Sequence, residues 1–250
     1  MKTNYAPHVY KIAEILSTEY HDFNHYNKRN PLDELLFIIC SIKRTEKVYL
    51  RAFRSLKRAF PRFENLAKAT TKELVNKVDW GGLQNQKAAS VEALMRAIVD
   101  RFDQPSLFKL KHMNDEMCEE FLSSLPGVGK KVARCVMLYS LGRNVFPVDT
   151  HCWRVAQRLG WVASGNTPTS KNVDRLQNKI PPPLRFSLHI NMVSFGREIC
   201  TARAPKCYKC EIMSLCKKAG KGDRLLLNDE ITRPLSAGQK HTTSRRLVAG

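Results

Sequence analysis

Apolar residues recur along this chain at steps of three and four, and no run alternates convincingly with period two. That period is helical, and β-hairpin signals are missing. Val9, Ile12, Ala13, Leu16 and Tyr20 mark a first amphipathic helix. Pro31 and Asp33 open a second, around Leu35 to Ser41. A third runs from about Thr45 to Phe60, with Tyr49, Phe53, Leu56 and Phe60 along its apolar stripe. "TTKELVNKVDWGGLQNQKAASVEALMRAIVDRF" reads as helix, Gly-Gly break, helix. Asn114 or Asp115 caps the next helix, whose apolar residues are Met117, Phe121, Leu122 and Leu125. The turn "LPGVG" leads into a helix from Lys130 to Leu141, which Gly142 stops. Another spans Asp149 to about Leu159. "GNTPTS" and "KIPPPLR" read as loops, and the polar, basic stretch after Cys216 as an extended or loosely ordered tail. The expected fold class is all-α.

Charge adds a partner to this picture. The 250 residues carry 42 Lys+Arg against 23 Asp+Glu, a net charge of +19. Such an excess implies a polyanion. No lipidation motif or amphipathic anchor favours a membrane surface, so nucleic acid is the expected ligand. The longest apolar run, "LLFIIC" at 35–40, is too short to span a bilayer. No signal peptide is evident, so a cytoplasmic, nucleoid-associated protein is expected. Between Lys43 and Arg62 lie eight basic residues and one acid; Lys43, Lys47, Arg51, Arg54 and Arg58 form a stripe that reads either as a solvated face or as an anion-facing one.

Eight cysteines in a reducing compartment argue against disulfides. Cys40, Cys118, Cys135 and Cys152 lie in apolar stretches and read as small buried side chains. Cys200, Cys207, Cys210 and Cys216 crowd into "CTARAPKCYKCEIMSLC" at spacings x6, x2, x5. Four thiols so close together point to a metal. Zinc is one reading. A single compact run also suits a [4Fe–4S] cube.

Helix, "LPGVGKK", helix is a helix–hairpin–helix pattern. Gly127 and Gly129 permit backbone that side chains would block and let the main chain approach a ligand. The first amides of the following helix then face a phosphate, with Lys130 beside them. Lys131, one step round, shares a face with Cys135 and Leu138, whereas Lys130 points with Arg134. The cations Lys130 and Arg134 and the helix N-terminus would push Lys131 toward the free amine that a nucleophile needs. A phosphate clamp is the blander reading of Lys131.

Residues from about 30 to 216 resemble the endonuclease III family of DNA glycosylases. "LPGVGKKVA" is similar to the family's "LPGVGxKTA", "VDTHCWRV" to its "VDTHxxRV", and "GLQNQKA" at 82–88 to its "GLYNSKA". The x6-x2-x5 cysteine spacing, preceded by Gly196-Arg197, matches as well. The resemblance implies two helical lobes flanking a DNA-binding cleft. Residues 24–143 would form a barrel lobe holding the hairpin. Residues 1–23 with 144–216 would form a second lobe carrying a [4Fe–4S] cluster on the four cysteines, and 217–250 a basic tail. It places the Schiff-base lysine on Lys131, the catalytic aspartate on Asp149 and the duplex wedge on Leu83. It also places DNA-phosphate contacts at Arg203 and Lys206. It implies a monomeric, bifunctional glycosylase and AP lyase acting on double-stranded DNA that holds a damaged base, an oxidised pyrimidine, or an abasic site. Such an enzyme flips the nucleotide out of the stack. Asp149 suits an N-cap equally well, and Leu83 a core position.

One motif departs. The family's "LSAQATD" stands here as "CSIKRTE", residues 40–46. Lys43 replaces the glutamine that fills the gap left by the flipped base, and Arg44 lies beside it. Cations at that place predict altered substrate choice, toward an unusual modified base. Adenine-mismatch glycosylases carry a glutamate where Ile39 stands, and the residues after Cys216 are too few for their second domain. A non-catalytic damage-binding module is the other reading.

Overall fold

A computed structural model describes residues 4–20, 26–163 and 165–219. Among these there are α-helices and short 3-10 turns but no strand. Among the described residues no helix is long and apolar enough to cross a membrane. The basic tail expected beyond Cys216 lies outside the described residues from 220 on.

Local sequence explains where the helices begin. α1 (Val9–Glu19) buries Val9, Ile12, Ala13 and Leu16. α2 (Pro31–Ser41) starts where Asn30 Oδ1 accepts from the amides of Leu32 and Asp33, with Pro31 supplying its fixed φ. Almost all of α2 is buried, so it is the central helix. α3 (Glu46–Ala59) buries only Ala52 and Leu56 and turns a basic face outward. Lys43 is not on that face. It stands three residues before α3 in a left-handed turn, φ 52°, so the expected five-residue stripe begins at Lys47. Part of its charge is matched, Arg51 by Asp79 at 2.9 Å and Lys57 by Asp33 at 2.9 Å.

After α4 (Phe63–Ala67), Thr70 and Glu73 form a capping box on α5 (Thr71–Lys77). α6 (Gln84–Phe102) follows the glycine pair and sends the buried Lys87 to the carbonyl of Cys40, 2.8 Å away, at the end of α2. Asn114 caps α7 (Asp115–Ser124). There Met117 is 50% exposed instead of joining the apolar face, because Cys118 and Leu122 take the inward positions. The remaining helices are α8 (Lys130–Ser140), α9 (Thr150–Leu159), α10 (Ser170–Asn178) and α11 (Arg185–Glu198).

Buried apolar side chains form two clusters. One gathers residues between Leu32 and Val145. The other joins Ala6 to Leu16 with residues between Phe146 and Ile212. The chain passes from one to the other between Val145 and Phe146. A charged group bridges them. Arg134 on α8 has a buried side chain whose Nε donates to Glu119 Oε2 of α7 at 2.6 Å, and its Nη2 meets Asp174 of α10. Lys130 lies 3.0 Å from Glu119 and 2.9 Å from Asp174. Two cations and two carboxylates thus pin α7 and α8, in the first cluster, to α10, in the second.

A buried charge stripped of its partner is costly. Glu119→Gln should therefore lower unfolding free energy by about 1–3 kcal/mol, because it leaves Asp174 alone to match both Arg134 and Lys130. Lys130→Met, at a half-exposed position, should cost about 1 kcal/mol or less. Denaturant melts of both variants test this, and equal losses would show that Arg134 is not the member whose charge matters.

Candidate active site

The hairpin turn is built by one obligatory glycine. Gly127 has φ +77°, the left-handed region, and Val128 is buried beneath the turn. Gly129 differs from expectation, since its φ of −92° suits any residue. A Cβ there would meet no atom within 4 Å. Its smallness is not required by the fold, and it leaves the N-terminus of α8 bare, with no side chain capping the first amides.

The two lysines then diverge. Lys130 does not present a free ammonium beside those amides. It is held by Glu119 and Asp174, which corrects the reading of it as a phosphate grip. Lys131 opens into a cavity of about 320 Å³ that it shares with Asp149, Cys135, Tyr139, His189, Arg44 and Arg197. They stand on segments that pack in both apolar clusters, α8 in the first and α9 and α11 in the second. Asp149 also lines, with Lys131, Gly129 and Trp153, a second and more open cleft.

Asp149 is the N-cap of α9. Its Oδ1 accepts from the Cys152 amide at 2.8 Å. Burial raises its pKa, but that bond and the nearby His189, His151 and Lys131 outweigh burial and hold it below the usual carboxylate range. No ion pair joins Asp149 to Lys131 among the described residues.

The expected depression of Lys131 by its basic neighbours is overturned. Lys130 and Arg134 are neutralised by their carboxylates, and the Lys131 pKa is shifted upward. The largest cause is the Cys135 sulfur, opposed by burial and seconded by Asp149. Cys135 is itself pushed up by complete burial and stays a neutral thiol near neutral pH. What persists there is burial, favouring the amine, against Asp149, favouring the ammonium. The side chain is open to solvent through the cavity although protein surrounds it closely.

Sequence reasoning missed several lining residues. Cys135 and Tyr139 follow Lys131 at four and eight residues, so helical phase could have found them. His189 had no such signal. It is a single histidine on the buried face of α11, its pKa pushed down to about 4 by burial, and it is therefore neutral. Its Nδ1 lies 3.5 Å from Cys152 Sγ. Asn27 lines the cavity and donates to the buried Glu34 at 2.5 Å. Leu83 is half-buried at φ 57° and belongs to neither apolar cluster, so it is not a core leucine. Arg203 and Lys206 are exposed.

Cys200, Cys207, Cys210 and Cys216 line one apolar-walled cavity of about 230 Å³, closed by Arg158, Leu159 and Phe195. Among the described residues, no three His, Cys, Asp or Glu side chains converge where a single metal ion could sit. The loop is tied to α9. Arg154 Nε donates to the Cys200 carbonyl at 2.9 Å. Arg158 Nη1 reaches the Cys200 Sγ at 3.0 Å and the Thr201 carbonyl at 2.8 Å.

A helical hairpin, a lysine and an N-cap aspartate on one cavity, and a four-cysteine loop define a helix–hairpin–helix protein with a lysine-bearing cleft. The chain matches the model of the "HhH-GPD superfamily base excision DNA repair protein" over residues 39–183, more than half its length, and it belongs to that superfamily. It is endonuclease III-like. It is 28% identical over 201 residues to the endonuclease III of Thermotoga maritima, covering 79% of this chain and 89% of that protein. It is 33% identical over 178 residues to At3g47830 of Arabidopsis thaliana, provisionally named a DNA glycosylase. That match covers 71% of this chain, which spans only 60% of the plant protein's length. An endonuclease III trapped in a covalent complex with DNA superposes with a TM-score of 0.72, at 24% identity, over 87% of this chain and 97% of that one. The fold is shared.

The two glycines separate conformation from access. Gly127→Ala should cost about 1–2 kcal/mol of stability, the penalty of a left-handed side chain. Gly129→Ala should leave stability within about 0.5 kcal/mol yet weaken binding to duplex DNA in a fluorescence titration. Wild-type affinity in Gly129→Ala would mean that no ligand comes close to this backbone.

Proposed function

We propose that the protein is a DNA glycosylase with an AP lyase step, acting on duplex DNA that carries a damaged or modified base. One observation carries this reading: Lys131 and Asp149, on helices that pack in different apolar clusters, open onto one cavity large enough for a base and walled by Phe37, Tyr49 and Tyr139. The two clusters are read as two lobes, residues 24–143 against 1–23 with 144–216, and the cavity as part of the cleft between them. The bare amides of α8 and the αL turn at Leu83 would meet the DNA backbone and the gap in the stack. Arg203 and Lys206 would approach phosphates.

The chemistry follows from the two residues. The target nucleotide is everted into the cavity. Lys131, as the amine, attacks the sugar C1′. The bond from C1′ to the base nitrogen breaks, and the base departs with that electron pair and takes a proton. The sugar ring opens to an iminium on Lys131. Loss of a C2′ proton then breaks the C3′–O bond by β-elimination. Asp149, held as a carboxylate, faces the positive charge that builds on the sugar and is a base for the proton Lys131 must shed. Neutral His189 leaves that anionic role to Asp149. An oxidised pyrimidine is the substrate that the family resemblance implies.

The four cysteines suit a [4Fe–4S] group. They surround a cavity instead of a point, and an arginine donates to one of the sulfurs, as cluster-bound thiolates accept. Such a group would cross-link the loop. No step of base excision is assigned to it.

Borohydride trapping on duplex DNA with an abasic site tests the reaction. Wild type should form a covalent adduct, lost in Lys131→Ala and retained in Lys130→Met. No wild-type adduct would leave only a DNA-binding module, with Lys131 as a phosphate clamp. Iron and acid-labile sulfide should copurify with the protein, with broad visible absorption that Cys210→Ala abolishes. Stoichiometric zinc in their place would reject the cluster.

A further inference from the structure

The cavity holds an unspent donor. Arg44, in the turn between α2 and α3, lines it together with Lys131, and the Nε of Arg44 is buried with no hydrogen-bond partner. Arginine has only donors and keeps its charge; this N–H is closed off beside the loop at Gly82, and a small turn of the guanidinium would bring it to an acceptor in the cavity. A buried donor left unpaired carries a penalty, and a ligand that satisfies it gains selectively.

The guanidinium is also placed by design of the neighbouring loop. It packs over Gly82, where a Cβ would lie 2.2 Å from Nη2 and 2.8 Å from Cζ. Only a glycine admits the side chain there. The same loop carries Leu83 in its left-handed turn, and Lys87 further along anchors the end of α2 just ahead of Arg44. The side chain is thus seated on the Gly82 loop, just beyond the anchored end of α2. Among the described residues no carboxylate is paired with it, although Glu46 lines the same cavity.

Resting on the proposed reaction, we infer that Arg44 is a specificity-determining residue that reads the everted base, donating to an acceptor such as a ring carbonyl or an exocyclic carboxylate. An amino group at the same place offers a second donor, and neither group is then satisfied. Arg44 thereby favours oxo- or carboxyl-bearing pyrimidines over amino-bearing ones. Arg197, exposed and lining the same cavity, adds positive charge that suits such acceptors.

The alternative source of an acceptor is a DNA phosphate, and a matched pair of probes separates the two. 5-Hydroxyuracil and 5-hydroxycytosine differ at the group on C4, oxo against amino, with the protonation at N3 that accompanies it. Binding is measured with duplexes holding either base on a 2′-fluorinated sugar, which resists excision. Wild type should prefer the oxo base by about tenfold. Arg44→Met and Arg44→Lys should both lose that preference, because a lysine keeps the charge but not the Nε donor. A ratio independent of base in wild type, or a ratio unchanged in Arg44→Met, would overturn the inference. A preference retained in Arg44→Lys would assign it to charge alone and overturn the Nε contact. A fall in affinity shared equally by both bases would place Arg44 on the phosphate. Because the readout is a ratio, a general loss of folded protein does not mimic the result. Failure of the glycosylase reading shows separately, as absence of a Lys131-dependent borohydride adduct.

Discussion

The site depends on one buried cation. Arg134 lies inside the molecule between Glu119 and Asp174, and Lys130 closes the same group from the cleft side. Burying an arginine is unfavourable unless its charge is matched, so the arrangement is narrow: α7, α8 and α10 must meet in one register or the charge is stranded. Because α10 packs in the second apolar cluster while α7 and α8 pack in the first, this register also fixes α8 against the start of α9. That is the separation between Lys131 and Asp149. Hydrophobic contact is not directional enough to set it; the ion pairs are.

The consequence for the hairpin is a division of labour along one helical turn. Lys130 and Lys131 are neighbours in sequence, but about 100° apart around the helix axis. One faces the carboxylates and holds the architecture. The other faces the cavity. A net positive hairpin is therefore less positive at its surface than its sequence suggests, and in the proposed function phosphate would be left to main-chain amides and the bare helix end.

Much of this was legible in the chain and some was not, for definable reasons. Helix positions were readable because burial imposes a period on residues close together, as in α1, α2 and α9. The left-handed glycine of "LPGVG" and the N-cap Asp149 were readable from local backbone chemistry. Lys131 could be separated from Lys130 by phase alone. The role of Lys130 could not, because its partners Glu119 and Asp174 stand 11 and 44 residues away and carry no pattern of their own. The protonation of Lys131 failed for the same reason: adjacent cations look depressing until their counter-charges are known. Lys43 was misassigned because a left-handed turn interrupts the helical phase that seemed to include it.

Asp149 shows why a structural and a chemical reading need not compete. As an N-cap it commits one oxygen to the Cys152 amide, which fixes the rotamer and holds the carboxylate ionised at neutral pH. In the proposed reaction the sugar would meet an oriented anion that need not reorganise, which is the condition for electrostatic stabilisation of developing positive charge. The helix that presents it is fastened at its other side by Arg154 and Arg158 to the cysteine loop. Removing the cap would loosen the carboxylate as well as the helix. Removing the carboxylate would leave the α9 amides to be capped by water. The two roles are one arrangement, in which the local rule that starts a helix also aims the group that faces Lys131.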